Sequence, residues 1–452
     1  MKKFKKRKDI QINWLAYQVF KMLSEPALFL KIVKGIKNRI YKVIGSLDVE
    51  VIRSKEPIPF AEIGNYQAEP LKVGDKWGGF FDCAWFNLKG QVPEEGRGKH
   101  IALIFDIQGE GCLMDAEGTP VKGLTRILSV SDALNTVPGK KTLEITKYSE
   151  GNEKIDLWIE GGNNGFFMKD VGASKLKRVD IVTVNDSLTD LYFDFITQFN
   201  VFVSLPKRSK RRIEIESSLI KACKVLKNFT YTNIRQASDI LSVELAKEAE
   251  EDFTFYATGH AHLDLAWLWP IRETKRKAGR TFANQLDLIE KYPEYIFCAS
   301  QPQMYKWIKE IYPKQYEKVK KAVKEGKIEP VGGMWVEPDC NVPSGESLVR
   351  QFLYGKRFFR QEFGKDMKIS FLPDVFGFNG MLPQIMKKSG VEYFLTTKMS
   401  WNEYNDFPYH SFNWEGLDGS KVLAHMPPSG NYNADLTGYY INKSHAHYKE
   451  KE

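Results

Sequence analysis

Paired cysteines and uninterrupted apolar stretches are both missing from this 452-residue sequence. Its five cysteines are scattered, odd in number and without a Cys-x-x-Cys pair. This distribution argues against a disulfide framework and favours reduced thiols in a cytoplasmic protein. The stretch 16–33 is interrupted by Lys21, Glu25 and Lys31. We therefore expect neither a signal peptide nor a membrane span.

Nucleic-acid motifs are also missing, although the net charge is +9. Basic residues cluster at 2–8 and 207–212, and we interpret both clusters as solvated faces, with no nucleic-acid partner. The apolar fraction of 42% and the charged fraction of 27% are typical of a folded globular protein. The length exceeds what one core usually serves, which predicts several domains.

The texture of the sequence changes along the chain and predicts four segments. Apolar residues at three-to-four spacing predict an N-terminal helical arm over 1–45, and a similar stripe predicts a helical linker over 213–251. Short strand-like runs separated by glycine-rich turns predict a jelly-roll-like β-sandwich over 46–212. Alternating strand and helix patterns predict an α/β parallel-sheet catalytic domain over 252–452, an incomplete β/α barrel. The fold class is therefore multidomain.

Within the last segment, hydrophobic patterning predicts six strands and four helices. The strands are expected at 253–258, 295–299, 328–331, 368–373, 391–397 and 421–425, and the helices at 281–291, 303–324, 346–363 and 382–389.

A group of polar and aromatic side chains follows the first of these strands. Gly259 is expected to end the strand, and His260, His262 and Asp264 then follow at intervals of two, before two tryptophans. Side chains at i and i+2 on a strand end point to the same side, and imidazole with carboxylate suits a divalent cation such as zinc. The alternative is a hydrogen-bonded His-Asp pair that holds no metal.

Other strand ends of this segment also carry polar side chains. Asp374 follows the fourth strand, Lys398 the fifth and His425 the sixth. In parallel α/β folds the active site lies at the carboxyl ends of the strands, so these groups are expected to converge. For Asp374 the alternative is a helix N-cap after a strand.

Five motifs in this half of the chain resemble the α-mannosidases of glycoside hydrolase family 38, and most closely their cytosolic and vacuolar branch. They are Gly-His-Ala-His-Leu-Asp-Leu-Ala-Trp-Leu-Trp-Pro from 259, Gly-Gly-Met-Trp-Val-Glu-Pro-Asp from 332, Pro-Ser-Gly-Glu-Ser-Leu-Val-Arg-Gln from 343, Leu-Pro-Asp-Val-Phe-Gly from 372 and Lys-Met-Ser-Trp-Asn from 398. The resemblance is strong over about 250–440 and architectural before that.

The resemblance implies a zinc-dependent retaining α-mannosidase that hydrolyses terminal α-mannosides of oligosaccharides, with cobalt as the alternative metal. It implies that His262, Asp264 and Asp374 are metal ligands and that Asp374 is also the catalytic nucleophile. It assigns Trp267 to the wall of the −1 sugar subsite, with Phe376 and Lys398 near that subsite. His260 is expected to orient a neighbouring group.

One departure from the family pattern concerns the general acid/base and a fourth metal ligand, a histidine. Both are expected beyond residue 452, so the catalytic domain is expected to be truncated at its C-terminal side. We expect a homo-oligomer or missing C-terminal domains. Two alternative functions remain open, a metal-dependent polysaccharide deacetylase and a non-catalytic mannose-binding remnant.

Overall fold

The computed structural model describes residues 23–125, 139–165, 170, 172–248 and 253–450. The chain divides into two compact units. Unit 1 comprises 1–113, 124–254 and 437–442, and unit 2 comprises 114–123, 255–436 and 443–452. Unit 1 contains a β-rich part and a helical part, and an α/β part makes up most of unit 2.

The β-rich part is built from twelve described strands in three sheets. One sheet has the order β1-β12-β6-β9, the second has the order β3-β2-β5-β10-β7-β8, and β11 pairs with β4. The strands are β1 Tyr41–Ser46, β2 Asp48–Ser54, β3 Glu69–Pro70, β4 Lys76–Gly78, β5 Cys83–Gln91, β6 Ile101–Asp106, β7 Glu110–Met114, β8 Pro120–Leu124, β9 Thr142–Thr146, β10 Lys154–Gly162, β11 Ser174–Lys175 and β12 Arg178–Val184.

The two larger sheets share one apolar core, as a β-sandwich requires. Val51 and Phe86 from the six-stranded sheet belong to the same buried cluster as Leu103, Phe105 and Ile181 from the four-stranded sheet. The long central pair β5–β10 is antiparallel without a break in register. The predicted jelly-roll-like architecture is therefore present as an antiparallel sandwich.

Four helices form a second core in unit 1. They are α1 Pro26–Ile40, α2 Asp186–Ser204, α3 Lys210–Val225 and α4 Tyr231–Leu245. Three of these helices begin after a capping residue whose side chain accepts a hydrogen bond from the backbone N–H three residues further on. The capping residues are Asn185 for α2, Ser209 for α3 and Thr230 for α4. The apolar stripes of the four helices meet in one buried cluster, so the helices pack on each other.

The secondary structure of unit 1 differs from the sequence prediction in two places. The strands end at Val184, and 186–204 is helical where a β texture was expected to run to 212. The reason is a capped apolar stripe, Leu188, Leu191, Phe195 and Phe199, whose three-to-four spacing fits a helix. At the start of the chain, α1 ends at Ile40 and β1 already spans part of the expected arm, whose residues 1–22 lie outside the described ones.

The α/β part contains two sheets with mostly parallel strands. The first has the order β13-β14-β15 and is parallel, and the second has the order β16-β17-β19-β18, with only β18 antiparallel. The strands are β13 Gly259–His260, β14 Phe297–Ala299, β15 Ile328–Pro330, β16 Ile369–Phe371, β17 Tyr393–Leu395, β18 Ser411–Glu415 and β19 Lys421–His425. The helices are α5 Ile271–Lys291, α6 Pro302–Ile311, α7 Pro313–Lys324, α8 Gly345–Phe363, α9 Leu382–Lys388 and α10 Gly438–His447.

The strand expected at 253–258 is wrong, because pairing begins only at Gly259. Phe253 and Phe255, expected to be buried, are 38% and 40% exposed, and Tyr256 is 91% exposed. Gly259 does not end the strand but starts it. A side chain would not fit at this position, because a Cβ there would lie 2.0 Å from the Tyr295 hydroxyl. The alternation of apolar and polar residues therefore predicted a strand start that is too early in the sequence.

The helix expected over 303–324 is two helices, because proline interrupts it. α6 ends at Ile311 and α7 starts at Pro313, which lacks the N–H that a continuous helix would use. Of the helices that the structure describes, not one combines the length and apolarity needed to traverse a bilayer.

Candidate functional site

Two loops at strand ends in unit 2 bring an imidazole and two carboxylates together. His262 and Asp264 follow β13, and Asp374 follows β16. Ligand atoms of these three side chains all lie within 4.8 Å of one another. Segments that are distant in sequence therefore converge where the strand-end rule predicted.

His262 lies at the centre of this group. Its Nε2 is 3.4 Å from Asp264 Oδ1 and 3.2 Å from Asp374 Oδ2. Its Nδ1 is 3.2 Å from Oε1 of Glu337, which lies in the loop after β15. The side chains of His262, Glu337 and Asp374 are only 9%, 7% and 13% exposed. One ring thus faces three carboxylates in a largely buried setting.

Lys398 pairs with Asp374 on the other side of that carboxylate. Its Nζ lies 2.5 Å from Asp374 Oδ1, and its side chain is 6% exposed. Three aromatic rings surround the ammonium, with centroids 3.2 Å away in Trp401, 5.1 Å in Phe376 and 5.2 Å in Tyr432. Cation–π contacts and the ion pair offset the loss of water around a buried ammonium.

Hydrogen bonds between neighbouring strand ends hold Asp374 and Lys398 in place. The Leu372 amide donates to the Leu395 carbonyl at 3.0 Å, and the Thr397 hydroxyl donates to the Pro373 carbonyl at 2.7 Å. The second bond joins Pro373, next to Asp374, to Thr397, next to Lys398. The side chains of Asp374 and Lys398 therefore emerge side by side because β16 and β17 are parallel neighbours.

The ionisable groups of the site shift one another's pKa values, because they lie close together and are largely buried. Burial lowers the pKa of His262, but hydrogen bonds to Asp264 and Glu337 overcome it and raise the pKa to about 10. Burial raises the pKa of Glu337 above its ordinary value, against the opposite effect of His262. Burial and the charge of Asp374 raise the pKa of Tyr432 to about 12. The carboxylates therefore favour a positive charge beside them.

The two remaining predicted residues, Trp267 and Phe376, are both exposed. Trp267 is 53% exposed and packs edge-on against Trp269, with 5.5 Å between ring centroids. Phe376 is 83% exposed, beside the Lys398 ammonium. Both rings therefore present aromatic surface to solvent.

The two other strand-end histidines make separate contacts. His260 donates from Nδ1 to the Cys298 carbonyl at 3.2 Å, and burial lowers its pKa to about 4, so the ring is neutral. His425 is bonded through Nδ1 to the Ser411 hydroxyl at 2.9 Å, on the neighbouring strand β18. Neither belongs to the group of three side chains around His262.

Sequence reasoning assigned no role to Glu337 or Tyr432. Glu337 lies inside the quoted motif from 332, so a carboxylate in a strand-end loop was a usable signal. Tyr432 contacts the His262 ring, with 5.1 Å between centroids, but it follows β19 by several residues in a polar stretch. No pattern distinguishes that tyrosine from others nearby.

The donor set fits a divalent cation such as zinc. A tetrahedral zinc ion with bonds of about 2.1 Å separates its ligand atoms by about 3.4 Å. The 3.2 and 3.4 Å distances from His262 Nε2 to the two carboxylates agree with that spacing. One nitrogen and two carboxylate oxygens are ligand types that zinc accepts.

Comparison with known proteins assigns both parts of the chain. A family model described as "Glycosyl hydrolases family 38 N-terminal domain" matches residues 252–452, and "Alpha-mannosidase, jelly roll domain" matches 44–182. Residues 252–452 belong to glycosyl hydrolase family 38, which confirms the family predicted from the motifs.

Curated relatives extend the match over most of the chain. "Alpha-mannosidase G" of Dictyostelium discoideum is 34% identical over 434 residues, 90% of this chain and 38% of that protein. Human "Alpha-mannosidase 2C1" is 34% identical over 412 residues, 88% of this chain and 38% of that protein. "Alpha-mannosidase" of Saccharomyces cerevisiae is 34% identical over 402 residues, 82% of this chain and 36% of that protein. The chain therefore spans well under half the length of these relatives.

Among solved structures, an alpha-mannosidase from Enterococcus faecalis aligns with 25% identity over 42% of this chain and 23% of that one, with a TM-score of 0.36. That score supports no argument about this fold. The family match does not favour the alternative of a polysaccharide deacetylase.

Proposed function

We propose that the chain carries the catalytic metal site and the nucleophile of a zinc-dependent retaining α-mannosidase acting on terminal α-mannosides of oligosaccharides. The observation that carries the proposal is the convergence of His262, Asp264 and Asp374 from two distant strand ends. The α-mannosidase names of its family relatives support the substrate class. A cytoplasmic location and a homo-oligomeric state stay predictions.

His262, Asp264 and Asp374 would hold the metal ion. Zinc, or cobalt in its place, would supply Lewis-acid chemistry toward vicinal hydroxyls of a bound sugar. The imidazole and the two carboxylates would be its protein ligands.

Asp374 would be the nucleophile. Its carboxylate attacks the anomeric carbon, the bond from that carbon to the leaving oxygen breaks, and a glycosyl ester of Asp374 results. Water then hydrolyses the ester and restores the carboxylate with net retention. The ion pair with Lys398 holds the carboxylate in one rotation, as attack along one line requires.

Exposed rings near Asp374 would bind the sugar. Trp267 and Phe376 present open aromatic faces, and apolar C–H faces of hexoses stack on such surfaces. Lys398 would orient Asp374 through their ion pair. Its ammonium also contacts the Phe376 ring and would therefore lie near the sugar subsite. A retaining mechanism also needs a second carboxyl, the general acid that protonates the leaving oxygen and then the base that activates water.

A trapping experiment tests the nucleophile and the stereochemistry together. The zinc-loaded chain is incubated with 5-fluoro-α-mannosyl fluoride, whose ester with a carboxylate hydrolyses slowly, and peptides are then sequenced by mass spectrometry. We expect the mannosyl adduct on Asp374. An adduct on another carboxylate would show that the assignment of Asp374 is wrong.

A turnover assay tests the reaction class. Release of 4-nitrophenol from the α-mannoside is measured with zinc or cobalt, for this chain and for a version extended past 452, with acetate release from an N-acetylated polysaccharide measured in parallel. We expect mannoside hydrolysis that depends on the metal. Acetate release without mannoside hydrolysis by either chain would overturn the proposal.

A further inference from the structure

Glu337 occupies an unusual place beside the proposed metal ligands. Its side chain is 7% exposed, and its Oε1 lies 3.2 Å from Nδ1 of His262. The opposite nitrogen, Nε2, faces Asp264 and Asp374. A carboxylate can only accept a hydrogen bond, so this contact requires the proton of His262 to sit on Nδ1.

A second buried side chain, Gln301, ties Glu337 to the loop that carries His262. The carboxamide of Gln301 donates from Nε2 to the Leu263 carbonyl at 2.9 Å and accepts at Oε1 from the Glu337 amide at 3.1 Å. Leu263 lies between His262 and Asp264. One carboxamide therefore sets the distance between the two loops.

The backbone at Gln301 supports a functional role for this bridge. Gln301 is 4% exposed and adopts φ 64° and ψ 84°, a left-handed conformation that glutamine rarely takes. Such a conformation persists only where surrounding contacts hold it, and it concentrates at functional sites. Here the residue in that conformation makes both carboxamide hydrogen bonds to the site loops.

The loop of Glu337 is also tied to the loop of Asp374. Cys340 forms a parallel bridge with Phe378, and the Asn379 carboxamide donates to the Cys340 carbonyl at 2.5 Å. Gln301 and Cys340 thus connect the Glu337 loop to both loops that carry the proposed ligands. Glu337 is placed to hold the His262 ring in one orientation relative to both carboxylates.

We infer that Glu337, held by Gln301, is a positioning residue that keeps His262 in the Nδ1-protonated tautomer and presents Nε2 to a divalent cation. The inference rests on the proposed function, because it needs the cation to bind at His262, Asp264 and Asp374. Carboxylates behind a histidine ligand fix its tautomer and raise its basicity, and their loss weakens metal binding by about 10–100-fold.

The test measures zinc affinity of the 452-residue chain by competition with a chromophoric chelator. Glu337→Met removes the acceptor, and Glu337→Gln keeps an acceptor without the charge. We expect Glu337→Met to weaken zinc binding by about 10–100-fold and Glu337→Gln to weaken it less. Glu329, exposed on the preceding strand β15, supplies the matched controls Glu329→Met and Glu329→Gln, which should bind zinc as the parent does.

Two further measurements separate positioning from general stability. The visible spectrum of bound Co²⁺ should change in Glu337→Met, because a misaligned imidazole alters the coordination geometry, whereas a purely structural defect lowers the unfolding temperature of the metal-free chain instead. Gln301→Gly keeps the left-handed backbone without strain and removes both hydrogen bonds. We expect it to weaken zinc binding several-fold, so the test survives if Glu337→Met fails to fold.

The outcomes distinguish this inference from the proposed function. If the parent chain and His262→Ala bind zinc equally weakly, the proposed metal site is wrong and the inference falls with it. If the parent binds zinc and both Glu337 variants match its affinity and its Co²⁺ spectrum, only the positioning role of Glu337 is overturned.

Discussion

The β-sandwich and the strand ends of the α/β part use the same residue types in opposite ways. In the sandwich, Trp77 is 2% exposed and Phe86 is fully buried, and the Trp77 indole donates to the Ile107 carbonyl. At the strand ends, Trp401 and Phe376 are 61% and 83% exposed. Aromatic side chains therefore fill a core in one region and surround the buried Lys398 ammonium in the other.

Charged side chains differ between these regions in the reverse direction. His262, Glu337, Asp374 and Lys398 are each no more than 13% exposed, although burying a charge is costly unless it is paired. The shared core of the sandwich is an apolar cluster. A region that buries apolar rings gains stability. A region that concentrates buried charge loses stability and gains the shifted pKa values that are typical of functional sites.

The largest expected effect tests the chemical side of this comparison. Asp374→Asn should lower turnover of 4-nitrophenyl α-mannoside at least about 10⁴-fold in the zinc-loaded version extended past residue 452, because an amide cannot act as the nucleophile. Asp239→Asn, at an exposed position on α4, is the control and should leave turnover unchanged. Near-normal turnover in Asp374→Asn would falsify the nucleophile assignment.

The next effect tests the structural side. Phe86→Ala should destabilise the protein by about 3–5 kcal/mol, because it leaves a cavity where the ring meets Trp77 and Phe105. Chemical denaturation followed by fluorescence measures the loss. Zinc affinity should not change. A loss below about 1 kcal/mol would mean that this core repacks easily.

Metal addition should separate the two regions directly. At free zinc 100 times above its Kd, binding stabilises the folded state by about 2.7 kcal/mol. Amide hydrogen exchange should slow around 259–264 and 371–376 while β5, Cys83–Gln91, is unaffected. Equal slowing in β5 would show that the metal response is not local. His262→Ala should remove the response.

The smallest effect concerns a helix end outside both the sandwich core and the site. Asn185→Ala should destabilise the protein by about 1 kcal/mol, because the Asn185 side chain accepts the Leu188 amide at 3.1 Å and begins α2. Thermal unfolding measures it, with Asn185→Ser as the control that retains a capping oxygen. A neutral result would show that water replaces this cap without loss.

Sequence patterns predicted which side chains converge at the strand ends better than they predicted element boundaries. His262, Asp264 and Asp374 could be singled out because residue type and strand-end position are both local properties. The start of β13 could not, because Phe253 and Phe255 alternate like a strand, whereas the pairing of β13 with β14 begins at Gly259. Helix α2 was missed because its stripe follows a strand directly and its cap, Asn185, resembles a turn residue.

The amino-acid sequence by itself determined the family, the β-then-α/β order and the ligand types that end the strands. Those features are local in the chain, and side-chain chemistry and spacing suffice to read them. Only the tertiary structure decided that Glu337 faces Nδ1 of His262 and that Tyr432 packs on that ring. Such contacts join loops from different strands, and their distances depend on how the whole sheet and its loops pack, which no local pattern encodes.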